Sequence, residues 1–185
     1  MFLQSTIVKF LIVSAAFLVA TITAHTQKTG IFDNHNDVGA VQHAGSATYD
    51  ESGQHYQLSG SGSNIWFKHD ELHFLWKKIT GNFILQARGV LLGTGTDPHR
   101  KFGWMVRSNL DSSSAMVCST VHGDGLTSLQ YRRQAAADVE ETRSSVKGPD
   151  VIQLERNPFW GKVVIFFHYQ LLVIYFSICC VGVIP

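Results

Sequence analysis

The stretch MVCSTVHGDGLTSLQYRR, residues 116–133, contains the clearest structural signal in the chain. Its two halves, Met116 to His122 and Leu126 to Arg133, flank the tripeptide GDG at 123–125. Glycine readily adopts the positive φ angles that tight hairpin turns require. The stretch therefore predicts an antiparallel β-hairpin.

A second pair of strands is predicted before this hairpin. In ELHFLWKKI, residues 71–79, apolar and polar side chains alternate except at Leu75, which predicts a half-buried strand. Gly81-Asn82 then turns the chain. Residues 83–88 alternate again and predict the hairpin partner of 71–79.

The other segments between Gly30 and Asn157 also predict strands and turns. KFGWMVRS, residues 101–108, is apolar on both faces, as expected of a strand in the middle of a sheet. Residues 93–100 predict a loop, and residues 151–155 predict one more strand. Roughly eight short strands without a helical stripe predict an all-β chain, namely an antiparallel two-sheet β-sandwich.

The N-terminal residues 1–24 predict a secretory signal peptide. Lys9 precedes an apolar run from Phe10 to Ala20, and Ala24 offers a small residue for cleavage. The run is shorter than the roughly 20 apolar residues that span a membrane, so cleavage is favoured over an uncleaved anchor. We therefore expect an exported protein, periplasmic, outer-envelope or extracellular, whose domain covers residues 25–157.

Residues 158–185 form a hydrophobic tail in which no formally charged side chain follows Lys162. The segment from Val163 to Ile184 is long enough to cross a bilayer as a helix, so a membrane anchor is one interpretation. Lys162 would then lie on the exported side, against the positive-inside tendency. The other interpretation, which we favour, is a non-native ending such as a frameshift would produce.

Composition excludes several classes of partner and site. The formal net charge is +1, so the chain has no electrostatic field that would attract nucleic acid. Its 9 histidines are scattered without paired metal-ligand spacing, which gives a zinc site little support. Cys118 is alone in the body of the chain, and no disulfide framework follows from it.

Seven stretches, taken in order, resemble one family. They are GIFDNHNDVG (30–39), HAGSATYD (43–50), YQLSGSGSNIWF (56–67), DELHFLWKKITGNFILQARG (70–89), DPHRKFGWMVRSNLD (97–111), VHGDGLTSLQYRR (121–133) and GPDVIQLER (148–156). Together they resemble the concanavalin A-like lectin and glucanase jelly-roll module of the DUF1349 type. Such modules occur in exported bacterial proteins, some joined to a TolB-like β-propeller and labelled biopolymer transporter.

The resemblance implies two antiparallel sheets packed face to face, with a concave face that receives saccharides in related lectins. It also implies further strands after residue 156, whereas this chain continues with Pro158-Phe159-Trp160. We therefore expect the last strands to be missing, and a TolB-like propeller to be a possible partner only in a full-length relative. The C-terminal departure also supports the altered ending.

FDNHNDVG, residues 32–39, poses a choice between a calcium site and a turn. A helix-loop-helix calcium loop needs oxygen ligands at its first, third and fifth positions and glycine at its sixth. Here Asp33 and Asp37 fit, but the third position is His35 and the sixth is Val38. Because the stretch lies where such modules begin, we expect an entry turn whose side-chain oxygens cap backbone N–H groups. A structural calcium ion bound by Asp33 and Asp37 is the alternative, and no other cofactor is expected.

The acidic residues do not suggest catalysis. Glycosidases need two carboxylates flanking the scissile bond. The pairs Asp70-Glu71 and Glu140-Glu141 are sequence neighbours, so we expect them to point to opposite faces of a strand as solvated charges. A hydrolase of the same fold therefore remains only an alternative.

Sugar recognition needs aromatic rings together with amide, guanidinium or imidazole groups. Sandwich cores also bury aromatic residues, so a single tryptophan is weak evidence, and polar groups within apolar strands are better candidates. The predicted ligand-binding residues are His73, Trp76, Arg107, His122, Gln130 and Arg132. The predicted function is a non-catalytic module that binds carbohydrate or a cell-envelope component, and the main alternative is an envelope protein-interaction domain.

Overall fold

The computed structural model describes residues 29–95, 97–157, 162–167 and 170–174. Within these ranges the chain is all-β and contains no helix. The strands are β1 (Asn34–Val38), β2 (Ser46–Asp50), β3 (His55–Ser59), β4 (Ile65–Trp66), β5 (His69–Asp70), β6 (Leu72–Trp76), β7 (Phe83–Arg88), β8 (Lys101–Arg107), β9 (Met116–His122), β10 (Thr127–Arg132), β11 (Glu140–Arg143), β12 (Val151–Asn157), β13 (Lys162–Phe167) and β14 (Gln170–Ile174).

The strands form several antiparallel sheets. Sheet A has four strands in the order β11-β10-β9-β8, and sheet B has four in the order β14-β13-β12-β7. Three further pairs are two-stranded: β1 with β6, β2 with β3, and β4 with β5. The predicted all-β class and antiparallel pairing are thus confirmed.

Sheets A and B share one hydrophobic core. Alternate side chains of β8, β9 and β10 project to the same face of sheet A, and their apolar members meet those of β12. The buried core residues are Val106, Val117, Val121, Leu129, Tyr131, Ile152 and Leu154, and Phe83, Leu85, Phe102 and Trp104 pack against them. The opposite face of sheet A does not contribute to this core and packs against other parts of the chain.

A smaller apolar cluster covers one end of that opposite face. Ile65, Met116, Cys118 and Val139 are its buried members, with Trp66, Leu72 and Met105 packed against them. Because Ile65 and Trp66 form β4, this cluster places the β4–β5 hairpin over sheet A. A candidate binding cleft lies at that hairpin.

Two predictions from local pattern are confirmed, the GDG hairpin and the alternation of residues 83–88. β9 pairs with β10 across the GDG turn, where Gly125 has a φ of +82°. In β7, Phe83, Leu85 and Ala87 are half-buried and the residues between them are exposed, as the alternation predicted.

Predictions of which strands pair over longer range are wrong. β6 pairs with β1 and β7 pairs with β12, so residues 71–79 and 83–88 do not form a hairpin. Pairing with β12 brings Leu85 opposite Leu154 in the core, a gain that the local pattern does not reveal. β8 is the last strand of sheet A rather than a middle strand.

The predicted entry turn is also a strand for most of its length. Residues 34–38 form β1, with a bend at Asp33 before it and a second bend at Gly39, where φ is +79°, after it. Pairing with β6 satisfies the backbone groups along one edge of β1, so the aspartates are not needed there and make longer-range contacts. Asp33 Oδ2 accepts a hydrogen bond from the Lys78 N–H at 2.9 Å, and Asp37 accepts one from the Gly45 N–H at 3.1 Å.

The hydrophobic tail contributes two strands where it is described. β13 pairs with β12, and β14 pairs with β13. The predicted signal peptide, residues 1–24, and the rest of the tail lie outside the described residues. None of the residues that the structure describes belongs to a helix capable of spanning a lipid bilayer.

A candidate binding cleft and its buried support

Four of the six predicted ligand-binding residues lie on one face of sheet A. Arg107 and Arg132 each stand opposite Met116, and Gln130 stands opposite Cys118 in the next row. His122 stands opposite Lys101 at the far end of the sheet. Because cross-strand partners project to the same face, these four side chains share the face that points away from the main core. All four are buried, with exposed fractions between 1% and 4%.

A buried ion cluster of Asp70, Arg107 and Arg132, hereafter the Asp70 cluster, occupies one end of this face. Arg132 binds the Asp70 carboxylate through both terminal nitrogens, Nη1 to Oδ2 at 3.0 Å and Nη2 to Oδ1 at 2.7 Å. Arg107 Nη2 lies 3.4 Å from Asp70 Oδ2. The Asp70 carboxylate is fully buried, so sequence reasoning that expected a solvated charge was wrong. Its partner Arg132, 62 residues away, explains the burial.

Both arginines also donate hydrogen bonds to backbone carbonyl oxygens. Arg132 also donates to the carbonyl oxygens of Ala137 (2.9 Å), Ser114 (2.9 Å) and Phe67 (3.0 Å). With the Asp70 contacts, all five of its N–H donors are occupied. Arg132 therefore has no donor left for a ligand and acts by positioning other groups.

Arg107 is held in the same way. Its Nε donates to the Asn109 carbonyl oxygen at 2.7 Å and its Nη2 to the Asp111 carbonyl oxygen at 2.5 Å, with the guanidinium 5.9 Å from the Phe74 ring centre. Burial lowers the pKa of the Arg107 guanidinium, and the Asp70 charge opposes that effect. Two cations thus share one carboxylate away from solvent.

The Asp70 cluster fixes the β4–β5 hairpin, whose turn is Phe67-Lys68. Phe67 has a φ of +50°, a conformation that costs a non-glycine residue roughly 1–2 kcal/mol. Arg132 binds the carbonyl oxygen of this residue, and Asp70 pairs with Ile65 across the hairpin. The Phe67 side chain is nevertheless 69% exposed, so a strained backbone presents an aromatic ring to solvent.

A cleft of about 370 Å³ lies beside this ring. Its lining consists of two aromatic and three polar residues: Ser63, Asn64, Trp66, Phe67 and His69. The half-buried Trp66 packs on the small apolar cluster of sheet A, and this packing holds the Trp66 side of the cleft in place. Aromatic surface and hydrogen-bonding groups therefore occur together in one concave site.

Lys101 connects the cleft to the polar face of sheet A. Its Nζ donates to Asn64 Oδ1 at 2.8 Å and lies 3.5 Å from Gln130 Oε1. Asn64 Oδ1 also accepts from the Ile65 N–H at 2.8 Å. With both lone pairs of Oδ1 engaged, the Asn64 amide can offer a ligand only its Nδ2 donors.

The centre of the polar face is a buried hydrogen-bonded row. Thr120 Oγ1 lies 3.1 Å from Ser128 Oγ and 3.3 Å from His122 Nε2, and Gln130 donates to Glu141 Oε1 at 3.1 Å. Among the described residues, His122 Nδ1 has no hydrogen-bond partner. Burial lowers the pKa of His122 to about 4, and the Lys101 charge acts in the same direction.

The remaining predicted residues belong to the β1–β6 pair. Trp76 Nε1 donates to Asn36 Oδ1 at 2.8 Å. His73 Nδ1 donates to Asp37 Oδ1 at 2.7 Å, and this hydrogen bond is the main reason that the pKa of the Asp37 carboxyl is lowered. The structure therefore does not bring His73 and Trp76 into the cleft, and Asp33 and Asp37 contact different partners. Within the described residues, no group of three or more His, Cys, Asp and Glu side chains is placed to hold a metal ion.

None of the five residues that line the cleft was among the predicted ligand-binding residues. Asn64 and Phe67 both lie in the quoted stretch YQLSGSGSNIWF, residues 56–67, from which no ligand-binding residue was predicted. The WF dipeptide directly after a polar loop was the available signal. The strain at Phe67 and the burial of Asp70 have no local signature.

Comparison with known proteins yields no similarity on which to draw: no family model, no curated protein and no solved structure matches this chain.

Proposed function

We propose that this chain is a non-catalytic β-sandwich module of an exported protein and that it binds carbohydrate in the cleft at the β4–β5 hairpin. The observation that supports this most is the cleft lining, in which Trp66 and Phe67 stand beside Ser63, Asn64 and His69. Sugar rings present C–H faces that stack on aromatic rings and hydroxyl groups that bind polar side chains. The lining offers both kinds of contact.

Each polar group has a defined capacity for binding sugar hydroxyls. The Asn64 Nδ2 group donates, because its Oδ1 already accepts from Lys101 and Ile65. His69 Nδ1 lies 3.5 Å from Ser112 Oγ, a long contact that leaves the imidazole available to a ligand. The Ser63 hydroxyl can both donate and accept.

The strain at Phe67 supports a functional role for its ring. Backbone strain persists where surrounding structure holds it, and such sites cluster at ligand-binding positions. Here Arg132 of the Asp70 cluster holds the turn by donating a hydrogen bond to the Phe67 carbonyl oxygen. An exposed phenylalanine side chain is not stabilised by burial in the core. We therefore assign the Phe67 ring the role of stacking on a ligand.

Binding is proposed rather than hydrolysis because of where the carboxylates lie. Among the described residues that line the cleft there is no Asp or Glu. Asp70, on the same hairpin, is enclosed by two arginines. A glycosidase needs a carboxylate pair at the scissile bond, and this site does not offer one.

We also propose that the fold is a concanavalin A-like jelly roll and that the chain serves the cell envelope, with a TolB-like propeller as partner in longer relatives. The shared core of two antiparallel four-stranded sheets supports this fold. The family resemblance of the quoted stretches supports the envelope setting.

The test is a glycan array probed with the full chain, followed by calorimetry with the oligosaccharide that binds best. Phe67→Gly removes the ring but keeps a residue suited to positive φ. Relief of roughly 1–2 kcal/mol of strain outweighs the roughly 0.5–1 kcal/mol entropic cost of glycine, so stability should not fall. Affinity should weaken by about 2- to 13-fold, the equivalent of an aromatic contact of roughly 0.5–1.5 kcal/mol.

Leu92→Ala is the matched control, because Leu92 is 70% exposed and is not among the residues that line the cleft. Its affinity should equal that of the parent chain. An array without signal, together with capture of an envelope protein, would favour the protein-interaction alternative. Turnover of a β-glucan by the full chain would instead establish a hydrolase.

A further inference from the structure

We infer that His35 and His73 form a binding site for a late first-row transition-metal ion such as Cu²⁺, Ni²⁺ or Zn²⁺, with Asp37 as the carboxylate that orients His73. The site lies on the β1–β6 pair and is independent of the proposed saccharide cleft. Imidazole nitrogen is a preferred ligand of these ions.

Strand register brings the three side chains together. Asp37 stands directly opposite His73, and His35 precedes Asp37 by two residues on the same strand. Residues two apart on a strand share a face, so His35 stands diagonally across from His73. The juxtaposition is therefore built into the sheet pairing rather than into a loop.

The two imidazoles already present nitrogen atoms to each other. His35 Nδ1 lies 3.1 Å from His73 Nε2, with ring centres 5.0 Å apart. Two nitrogens on a tetrahedral zinc ion, at bond lengths of about 2.0–2.1 Å, are about 3.3 Å apart. The existing separation is thus within a few tenths of an ångström of the ligating one.

Asp37 supplies the outer partner that metal-binding histidines usually have. His73 Nδ1 donates its hydrogen to Asp37 Oδ1 at 2.7 Å, so a neutral His73 carries its lone pair on Nε2, the atom that faces His35. A carboxylate in this position fixes the tautomer and raises the basicity of the ligand nitrogen. Asp37 is itself held by the Gly45 N–H.

Two glycines confine the His73 ring. A Cβ at Gly45 would lie 2.2 Å from His73 Nδ1, and a Cβ at Gly60 would lie 2.9 Å from the His73 Cβ. The His73 side chain is 4% exposed, whereas His35 is only half-buried. One ligand is thus preorganised, and the other can adjust and shift its own hydrogen from Nδ1 to Nε2 when the ion binds.

The ligand set predicts the order of affinities. The proposed protein ligands are the two imidazoles of His35 and His73. Water would complete the coordination shell of the ion. Cu²⁺ should bind more tightly than Ni²⁺ or Zn²⁺, as expected for nitrogen donors. Ca²⁺ and Mg²⁺, which prefer oxygen ligands, should not compete.

The test is calorimetric titration of the full chain with CuCl₂, NiCl₂, ZnCl₂ and CaCl₂. We expect saturable binding of Cu²⁺ that His35→Asn abolishes and that Asp37→Asn weakens by about 10- to 100-fold, the usual effect of losing an outer carboxylate. His55→Asn, which changes an exposed strand histidine, is the matched control and should bind as the parent does.

Electron paramagnetic resonance of the chain with added Cu²⁺ gives an independent readout, because a signal with two coordinated nitrogens should appear in the parent and no protein-bound signal should appear in His35→Asn. Binding that survives His35→Asn, or that His55→Asn weakens equally, would overturn the inference. So would equal affinity for Ca²⁺, which would indicate oxygen ligands. An unsaturable titration would show that the two histidines share only a hydrogen bond.

Discussion

Replacement of Asp70 by asparagine should destabilise the fold severely, because it removes the only carboxylate of the Asp70 cluster. Asn keeps the size of the side chain and one acceptor oxygen. It also places an N–H₂ group against guanidinium nitrogens that now lie at 2.7–3.4 Å. Arg107 and Arg132, which are 2% and 1% exposed, would be left as uncompensated buried cations.

The expected cost is about 3–5 kcal/mol, the usual effect of removing one partner of a buried ion pair. With a urea m-value of about 2 kcal/mol/M, the midpoint of unfolding should fall by about 1.5–2.5 M. The m-value itself should be unchanged, since the native surface stays the same. Equilibrium urea unfolding, followed by tryptophan fluorescence, measures both quantities.

Glu140→Gln provides a control with the same ion-pair distance at the surface. Arg133 Nε lies 2.7 Å from Glu140 Oε1, but the two side chains are 52% and 48% exposed. A surface pair contributes about 0.2–1 kcal/mol, so the midpoint should fall by at most about 0.5 M. If Asp70→Asn lowered the midpoint no more than Glu140→Gln does, burial would not determine the strength of the Asp70 cluster.

Coupling between the two arginines gives a second check of the same reasoning. Arg107→Met should cost less in the Asp70→Asn background than alone, because in that background it removes an unpaired buried charge. Additive costs would mean that Arg107 does not interact with Asp70.

Three further predictions concern His122, Cys118 and Gly103. Because His122 has a pKa of about 4 when folded and 6.5 as its ordinary value, only the unfolded chain binds a proton between these limits. Stability should therefore fall by up to about 3 kcal/mol as the pH decreases through this window, and His122→Asn should flatten that loss in urea unfolding at about pH 4.5 and pH 7. Burial raises the pKa of Cys118 to about 12, so iodoacetamide should label Cys118 only in denaturant, as peptide mapping would show. Gly103→Ala should cost about 2–3 kcal/mol in urea unfolding, because its Cβ would overlap the Ser119 carbonyl oxygen, and a smaller cost would mean that β8 and β9 separate easily.

Sequence alone determined the features that depend on neighbouring residues. The GDG hairpin follows from glycine at a position of positive φ between two strand-forming runs, and β7 follows from its alternation. The same two-residue period places Gln130 and Arg132 on one face of β10, and the structure confirms that they share the polar face of sheet A. Local steric preference suffices for all of these.

Tertiary structure alone decided which strands distant in sequence pair and which polar groups are buried. β6 pairs with β1, which lies about 40 residues earlier in the sequence. Such a pairing depends on packing across the whole domain, and a short stretch of sequence does not contain that information. Asp70 is buried because Arg132, 62 residues later, binds it, and Phe67 is exposed in a strained turn because that same arginine holds its carbonyl oxygen. The cleft depends on these contacts between residues that are distant in sequence. No single stretch of sequence therefore contains all the interactions that stabilise it.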